Sequence, residues 1–314
     1  MKKFFMAVIA FMMTISASAQ FYIYFSNGTV AKVDSISMVA PADAEDPTNP
    51  DNPSTPSQSI GVFSVSATKQ VTFSPGNLQY TQSTKTWSFA SAQWEMLGTD
   101  NVIGDGAYSY QYGDTKSGIA LANKVDLFGW STSASYFGVS TSKDENDYSG
   151  SFVDWGTNKI GNDAPNTWRT LTYDEWEYLC WERPNYSGLR GVAQVNGVNG
   201  LVFLPDNWTY PADVTFKPGF HSSSDSTEYY AAYQTFTKEQ WSKLESAGAV
   251  FLPAAGKRYG LDMDYVQYYG YYWSATETES DSSSADCLYF LSGETFAGGY
   301  SRITGRSVRL VKDL

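Results

Sequence analysis

Histidine is almost absent from this chain of 314 residues: His221 is the only one. A Ser-His-Asp triad would have to be built on it. It sits in "GFHSSSDS", where Ser222–Ser224 and Asp225 are too close in sequence to be informative, and a solvated loop histidine is the plainer reading. Cysteine is nearly as scarce, with two residues. One imidazole and two thiols are too few for a protein zinc site. No G-x-x-x-x-G-K or G-x-G-x-x-G element occurs, so the motif-borne phosphate cradles are excluded. Bases are outnumbered, 21 Lys and Arg against 33 Asp and Glu, for a net charge of −12. Such a chain repels phosphate backbones, which excludes nucleic acid as a partner. The same charge suits calcium or a neutral or cationic ligand, though its plainest use is solubility. After residue 15 no apolar run approaches the ~20 residues of a bilayer span, so no transmembrane segment is expected.

The beginning of the chain reads as a targeting segment. Lys2 and Lys3 precede an apolar run from Phe4 to Ile15, and Ala17-Ser18-Ala19 has the small-residue form of a cleavage site before Gln20. Residues 1–19 are therefore expected to be a signal peptide and the mature chain to be exported: periplasmic, at the cell surface or extracellular. In that setting Cys180 and Cys287 permit a disulfide, which would close a loop of roughly a hundred residues and contribute about 4–5 kcal/mol in the chain-entropy model. Two unpaired buried thiols are the alternative.

What the sequence has in quantity is aromatic side chains, 16% of residues, including 23 Tyr and 10 Trp. They supply enough apolar area for a large core and also suit an exposed binding surface. Residues 20–39 contain two β-rich runs flanking Asn27-Gly28, a strong hairpin signal. Residues 40–59, with five prolines and no aromatics, read as a semi-rigid linker. Residues 60–314 then form the main domain.

Within it, "LTYDEW" and "FTKEQW" are followed at a distance by "GLVFLP" and "GAVFLP". Thr172 with Glu175, and Thr237 with Gln240, are spaced as capping boxes. Leu171 with Trp176, and Phe236 with Trp241, are spaced as hydrophobic staples. Pro184 and Gly248 stop the two helices. Each Val-Phe-Leu-Pro run reads as a buried strand. The tail, "YYWSAT", "DCLYFLSG", "ETFAGGYS" and "GRSVRLVKD", reads as strands between polar loops. The expected class is α+β: two short helices, a mostly antiparallel sheet and long irregular loops.

The segments "FSPGNLQY", "LFGW", "DWG", "WRTLTYDEWEYL", "GLVFLPDNW", "GAVFLPAAGKR", "YYWSAT" and "SVRLV" together resemble a paralogous family of exported surface proteins in Bacteroidetes. That family is similar to C-type-lectin-like domains of the formylglycine-generating-enzyme type. The resemblance covers nearly all of 60–314 and implies that fold. It also implies a tail in which exposed positions vary over a fixed scaffold. It does not carry enzyme activity over: the enzyme's C-terminal cysteine pair is not matched, since only Cys287 lies there. Nor does it carry calcium-dependent sugar binding, since "ERPN" (182–185) and "DNW" (206–208) depart from the lectin tripeptides. Calcium stays open as a cofactor on composition alone. "SKDENDYSG" gathers Asp144, Glu145, Asn146 and Asp147 without EF-hand spacing.

The candidate ligand-binding residues are in "YGLDMDYVQYYGYYWSATETESD", 259–281. Tyr265, Tyr268, Tyr269, Tyr271 and Tyr272 crowd around Gly270. Strand alternation sends Tyr271 and Tyr272 to opposite faces, so both are not expected to be core. Tyr265, Tyr268, Tyr269 and Tyr271, with Glu277, Glu279 and Asp281 on the following loop and Tyr300 nearby, make the expected contact surface; no catalytic residue is singled out. Arg302, Arg306 and Arg309 read as solvated or ion-paired. The expected function is noncovalent recognition of a glycan or protein. The alternatives are a carbohydrate-active hydrolase, for which no carboxylate pair stands out, and a structural or adhesin-tip subunit of a surface assembly.

Overall fold

The computed structural model describes residues 21–24, 30–33, 61–104, 106, 112–130, 138–221, 228–279 and 281–314. The leader, the Asn27-Gly28 turn and the 40–59 linker expected from the sequence lie outside these residues. The chain divides into two units, 1–54 and 55–314. In the first, Phe21–Tyr24 pairs antiparallel with Val30–Val33, with Phe21 opposite Val33. No described helix is long and apolar enough to cross a membrane.

The second unit is built mostly from antiparallel sheets with a few short helices. Both capping boxes form. At helix α1 (Tyr173–Glu177) the Glu175 N–H donates to Thr172 Oγ1 at 3.2 Å, and the Thr172 N–H donates to Glu175 Oε2 at 2.9 Å. A wider π turn, Tyr178–Glu182, continues α1 up to Pro184. Helix α2 (Glu228–Tyr233) has no counterpart among the expected elements. At helix α3 (Lys238–Ser246) Thr237 and Gln240 exchange the same two bonds, at 3.2 and 2.9 Å. Gly248 follows with φ +98°, a left-handed conformation that favours glycine. Trp176, Leu179, Cys180 and Arg183 all face inward from the first helix, as do Trp241 and Leu244 from α3.

The echoed strands pair with each other. Strand β1 (Arg190–Val195) is joined to β2 (Val198–Phe203), and β2 lies antiparallel to β3 (Val250–Pro253). Their register sets Leu201 against Leu252 and Val202 against Phe251. This explains the repetition in the sequence: two apolar strands share one sheet and are covered by two indole-anchored helices. Trp176 packs in the cluster with Phe203 and Leu252, and Trp241 in the cluster with Val202 and Phe251.

The strands that carry the candidate site follow. They are β4 (Lys257–Tyr259), β5 (Asp262–Val266), β6 (Gly270–Glu277), β7 (Ser284–Leu291), β8 (Glu294–Ser301) and β9 (Thr304–Gly305). β6, β7 and β8 form a three-stranded antiparallel sheet, and β4 lies between β5 and β9 in another. The β6–β8 sheet has core on both sides. Tyr272, Leu288 and Phe290 enter the cluster around Trp176, whereas Tyr271, Trp273 and Cys287 enter one that holds Trp130, Trp155 and Leu310. A sheet covered on both faces buries both members of an adjacent pair. Tyr271 is 7% exposed and Tyr272 is fully buried, which corrects the expectation that only one would be core.

Six arginines, at 183, 190, 258, 302, 306 and 309, are buried; this corrects the solvated or ion-paired reading of Arg306 and Arg309, whereas Arg302 is ion-paired with Glu277. Three of them, Arg183, Arg258 and Arg302, act as clips on backbone carbonyls. Arg258 donates to the carbonyls of Ser140, Gly260 and Leu127, and Arg302 to those of Tyr148, Gly150 and Ser284. Such bonds satisfy carbonyls that no sheet partner reaches.

Candidate binding site

The turn between β5 and β6 is strained. Tyr265 has φ +63° and Gln267 φ +66°, left-handed values that cost a non-glycine residue about 1–3 kcal/mol each. The surroundings hold this geometry. The Gln267 N–H donates to Ala254 O at 2.7 Å, Asn199 Nδ2 donates to Gln267 O at 2.9 Å, and the Asn199 N–H donates to Gln267 Oε1 at 2.8 Å. Its effect is to compress three phenols into a few residues. Tyr265 meets Tyr269 edge-on at 5.2 Å, and Tyr269 meets Tyr268 at 4.6 Å.

From Tyr269 the rings continue across the sheet. Tyr269 stacks on Tyr271 at 5.6 Å and Tyr271 on Tyr289 at 6.0 Å, while Tyr289 stacks on Phe296 at 4.7 Å. Tyr300 closes edge-on against Tyr289 at 5.3 Å. These separations are those of favourable aromatic pairs. Tyr265, Tyr269, Tyr289, Phe296 and Tyr300 are half-buried, each with part of its surface reaching solvent. Tyr268, 4% exposed, and Tyr271 are floor rather than contact surface, a correction to their expected role. Tyr268 is covered by Tyr112, stacked at 5.2 Å, and its carbonyl accepts from buried Tyr230 Oη at 3.0 Å.

The three acids stand apart from Tyr265 and Tyr269. Glu277, Glu279 and Asp281 are exposed at and beyond the far end of β6, which rises about 23 Å over its length, and Glu277 lies two strands from Tyr300, with Ala285 between them. Glu277 is ion-paired with Arg302. Asp281 accepts from the Ser283 N–H and from the hydroxyls of Ser283 and Ser284. These bonds hold it below the usual carboxylate range and organise the loop.

Sequence reasoning missed Tyr289, Phe296, Gly298, Lys257 and Arg306. A signal for the first three was present: taking Ser292-Gly293 as a two-residue turn sets Leu291 opposite Glu294, hence Tyr289 opposite Phe296 and Cys287 opposite Gly298. A Cβ at Gly298 would have no atom within 4 Å, so the strand leaves a gap between Phe296 and Tyr300. Beside the strained turn lies a shallow groove of about 500 Å³, lined by Asp114, Gln194, Asn199, Glu228 and Gln267. Its amides and acids suit hydrogen bonding to hydroxyls.

Other expected features resolve into structural roles. Cys180 and Cys287 are free, each buried in a different core cluster, so the disulfide gives way to two separate thiols. Burial pushes both up to about 11. Asp206 of "DNW" pairs with Arg183 of "ERPN" at 3.2 Å and accepts from the Ser64 N–H at 2.7 Å. Asp144 accepts from the Asn146 N–H at 3.0 Å and caps a 3₁₀ turn. Among the described residues no group of three His, Cys, Asp or Glu could hold a metal ion. His221 stacks on Tyr229 at 4.3 Å, and Ser222–Asp225 lie outside the described residues. Fully buried Asp126 and half-buried Asp154 serve the fold. Asp126 accepts from the Leu97 N–H at 2.8 Å and from Asn101 Nδ2 at 2.7 Å, and Asp154 accepts from the N–H groups of Gly156 and Thr170.

No family model, no curated protein and no solved structure matches this chain.

Proposed function

We propose that this chain is an exported, non-enzymatic recognition module that binds a glycan or a protein through the tyrosine row at the β5–β6 turn and the β6–β8 sheet. The observation that carries the reading is the run of ring contacts: half-exposed Tyr265 and Tyr269 are joined through buried Tyr271 to half-exposed Tyr289, Phe296 and Tyr300. Tyrosine offers rigid contact area at low entropic cost and a hydroxyl for hydrogen bonding, which suits stacking on sugar rings or clasping a peptide. Backbone strain at Tyr265 and Gln267 supports the same reading, because a fold keeps such costs mainly where they position a contact. The amide-lined groove beside the turn adds polar partners.

The finer fold assignment belongs to the same proposal. Two Trp-anchored capped helices, the paired Val-Phe-Leu-Pro strands and the antiparallel tail support a C-type-lectin-like domain of the formylglycine-generating-enzyme type. The test is a glycan and protein-partner array probed with the mature chain, with and without chelator. Wild type binds, and the double variant Tyr265→Ala, Tyr269→Ala loses at least tenfold in affinity. Equal binding by both proteins would move the site elsewhere.

A further inference from the structure

Two cations stand against the tyrosine row, and among the described residues no carboxylate is bonded to either. Lys257 is half-buried, and its Nζ lies 5.2 Å from the centre of the Tyr265 ring. Its ammonium makes no hydrogen bond or ion pair among the described residues; Asp264, opposite it on β5, stands beyond ion-pair distance. Arg306 is 2% exposed, and its guanidinium sits over Tyr300 at 4.3 Å, Tyr271 at 4.5 Å and Trp273 at 4.9 Å. The guanidinium's one hydrogen bond among the described residues runs from Nη1 to Cys287 Sγ at 3.5 Å, and its Nε is buried without a partner, as are those of Arg183, Arg190, Arg258 and Arg309. The four other most deeply buried arginines all donate to oxygen acceptors.

The cations are also neighbours. β4 pairs with β9 so that Arg258 faces Gly305, and the same antiparallel register brings Lys257 opposite Arg306. Like charges opposite one another across a ladder are destabilising. Burial holds Lys257 below its ordinary range, and repulsion from Arg306 adds to that while Asp264 opposes it. In a chain with 33 acidic residues, no carboxylate among the described residues is bonded to either cation. Two like charges set opposite one another beside a partly exposed aromatic row, with no carboxylate among the described residues bonded to either, mark a functional position.

The geometry points to a carboxylate-bearing glycan as the ligand: sugar rings stack on Tyr265 and Tyr269, and a sugar carboxylate meets Lys257, with Arg306 adding positive field from behind the rings. This rests on the reading of the tyrosine row as the binding surface. Stacked sugar faces account for the aromatic row, and the carboxylate completes the charge that the fold leaves open. The gap at Gly298 gives the chain of sugars room to continue along β8.

The experiment uses the mature chain and isothermal titration with a galacturonic acid hexasaccharide, its methyl ester and a pentaglutamate peptide. The ester keeps every ring and removes the charge. The acid binds at least tenfold more tightly than the ester, and added salt narrows the difference. Lys257→Gln, a half-exposed position that the fold tolerates, brings the acid to the level of the ester and leaves the ester unchanged. Arg306→Gln lowers acid affinity further if it folds; Lys257→Gln alone decides the matter if it does not. Equal binding of acid and ester, with both lost in Tyr269→Ala, overturns the charge inference and leaves the tyrosine row standing. Binding of both sugars untouched by Tyr269→Ala overturns the row as well. Pentaglutamate binding tighter than the hexasaccharide overturns the glycan assignment, and no binding of either sugar overturns this inference while the array decides the broader one.

Discussion

Adjacent tyrosines that are both buried but have different partners give a stability test. The Tyr272 hydroxyl donates to Pro253 O at 2.9 Å and accepts from Asn77 Nδ2 at 3.0 Å, in a place with no solvent access. In Tyr272→Phe the Pro253 carbonyl keeps a second donor, the Ala255 N–H at 3.0 Å. Asn77 is fully buried, so its Nδ2 is stranded, and its other end stays engaged by Arg309. A buried donor left unmet costs about 1–3 kcal/mol, and the loss of a two-ended bond places the expected change at about 2–3 kcal/mol. The Tyr271 hydroxyl makes no hydrogen bond among the described residues, so Tyr271→Phe is expected within about 0.5 kcal/mol of wild type. Urea unfolding of both variants reads the difference as a shift in midpoint at unchanged slope. Equal shifts for the two, or a Tyr272→Phe change below about 0.5 kcal/mol, would refute the claim that the β6–β8 sheet is buried on both faces with unequal polar partners.

Three further outcomes follow from the geometry. Thr237→Ala removes one side of the capping box at α3 and lowers stability by about 1 kcal/mol in the same urea assay. Gly298→Ala is neutral or slightly stabilising, because its Cβ meets open space, whereas Gly200→Ala drives a methyl into the Phe251 ring and the Leu252 carbonyl and lowers the melting temperature markedly; thermal scans compare them. Asp126 is raised to about 6, chiefly by burial and against the bonds from Leu97 and Asn101. An acid raised by folding contributes stability that is full below its unfolded value and is lost as pH rises through its folded value. Asp126→Asn therefore flattens the decline in melting temperature between about pH 4 and pH 6.

Local signals in the sequence were the most legible. Thr172 and Thr237 with their partners three residues on, and Gly248 after the second helix, specify short-range geometry that needs no tertiary information. The Val-Phe-Leu-Pro echo marked buried strands, though only the register shows that they pair with each other. Depth was not legible. Tyr268 and Tyr271 read as surface because phenol carries a polar tip, yet Tyr112 covers one and a second core cluster covers the other. Arg306 and Arg309 read as surface for the same reason, since a charge in sequence gives no hint of the aromatic or amide cage that receives it. The acids at 277–281 were grouped with the tyrosines by proximity along the chain, but strand β6 carries them away from Tyr265 and Tyr269. Helix α2 gave no cap signal among the expected elements, and its packing against β1 and β2 holds it.

The central claim is that one aromatic row faces outward from a packed interior, and tyrosine nitration mapped by mass spectrometry tests it most directly. In the folded chain Tyr265, Tyr269, Tyr289 and Tyr300 are expected to react, Tyr272 and Tyr230 to react only after unfolding, and a bound ligand to protect the first set as a group. Uniform protection of all six in the free protein, or a bound ligand that leaves Tyr265 and Tyr269 fully reactive, would contradict it.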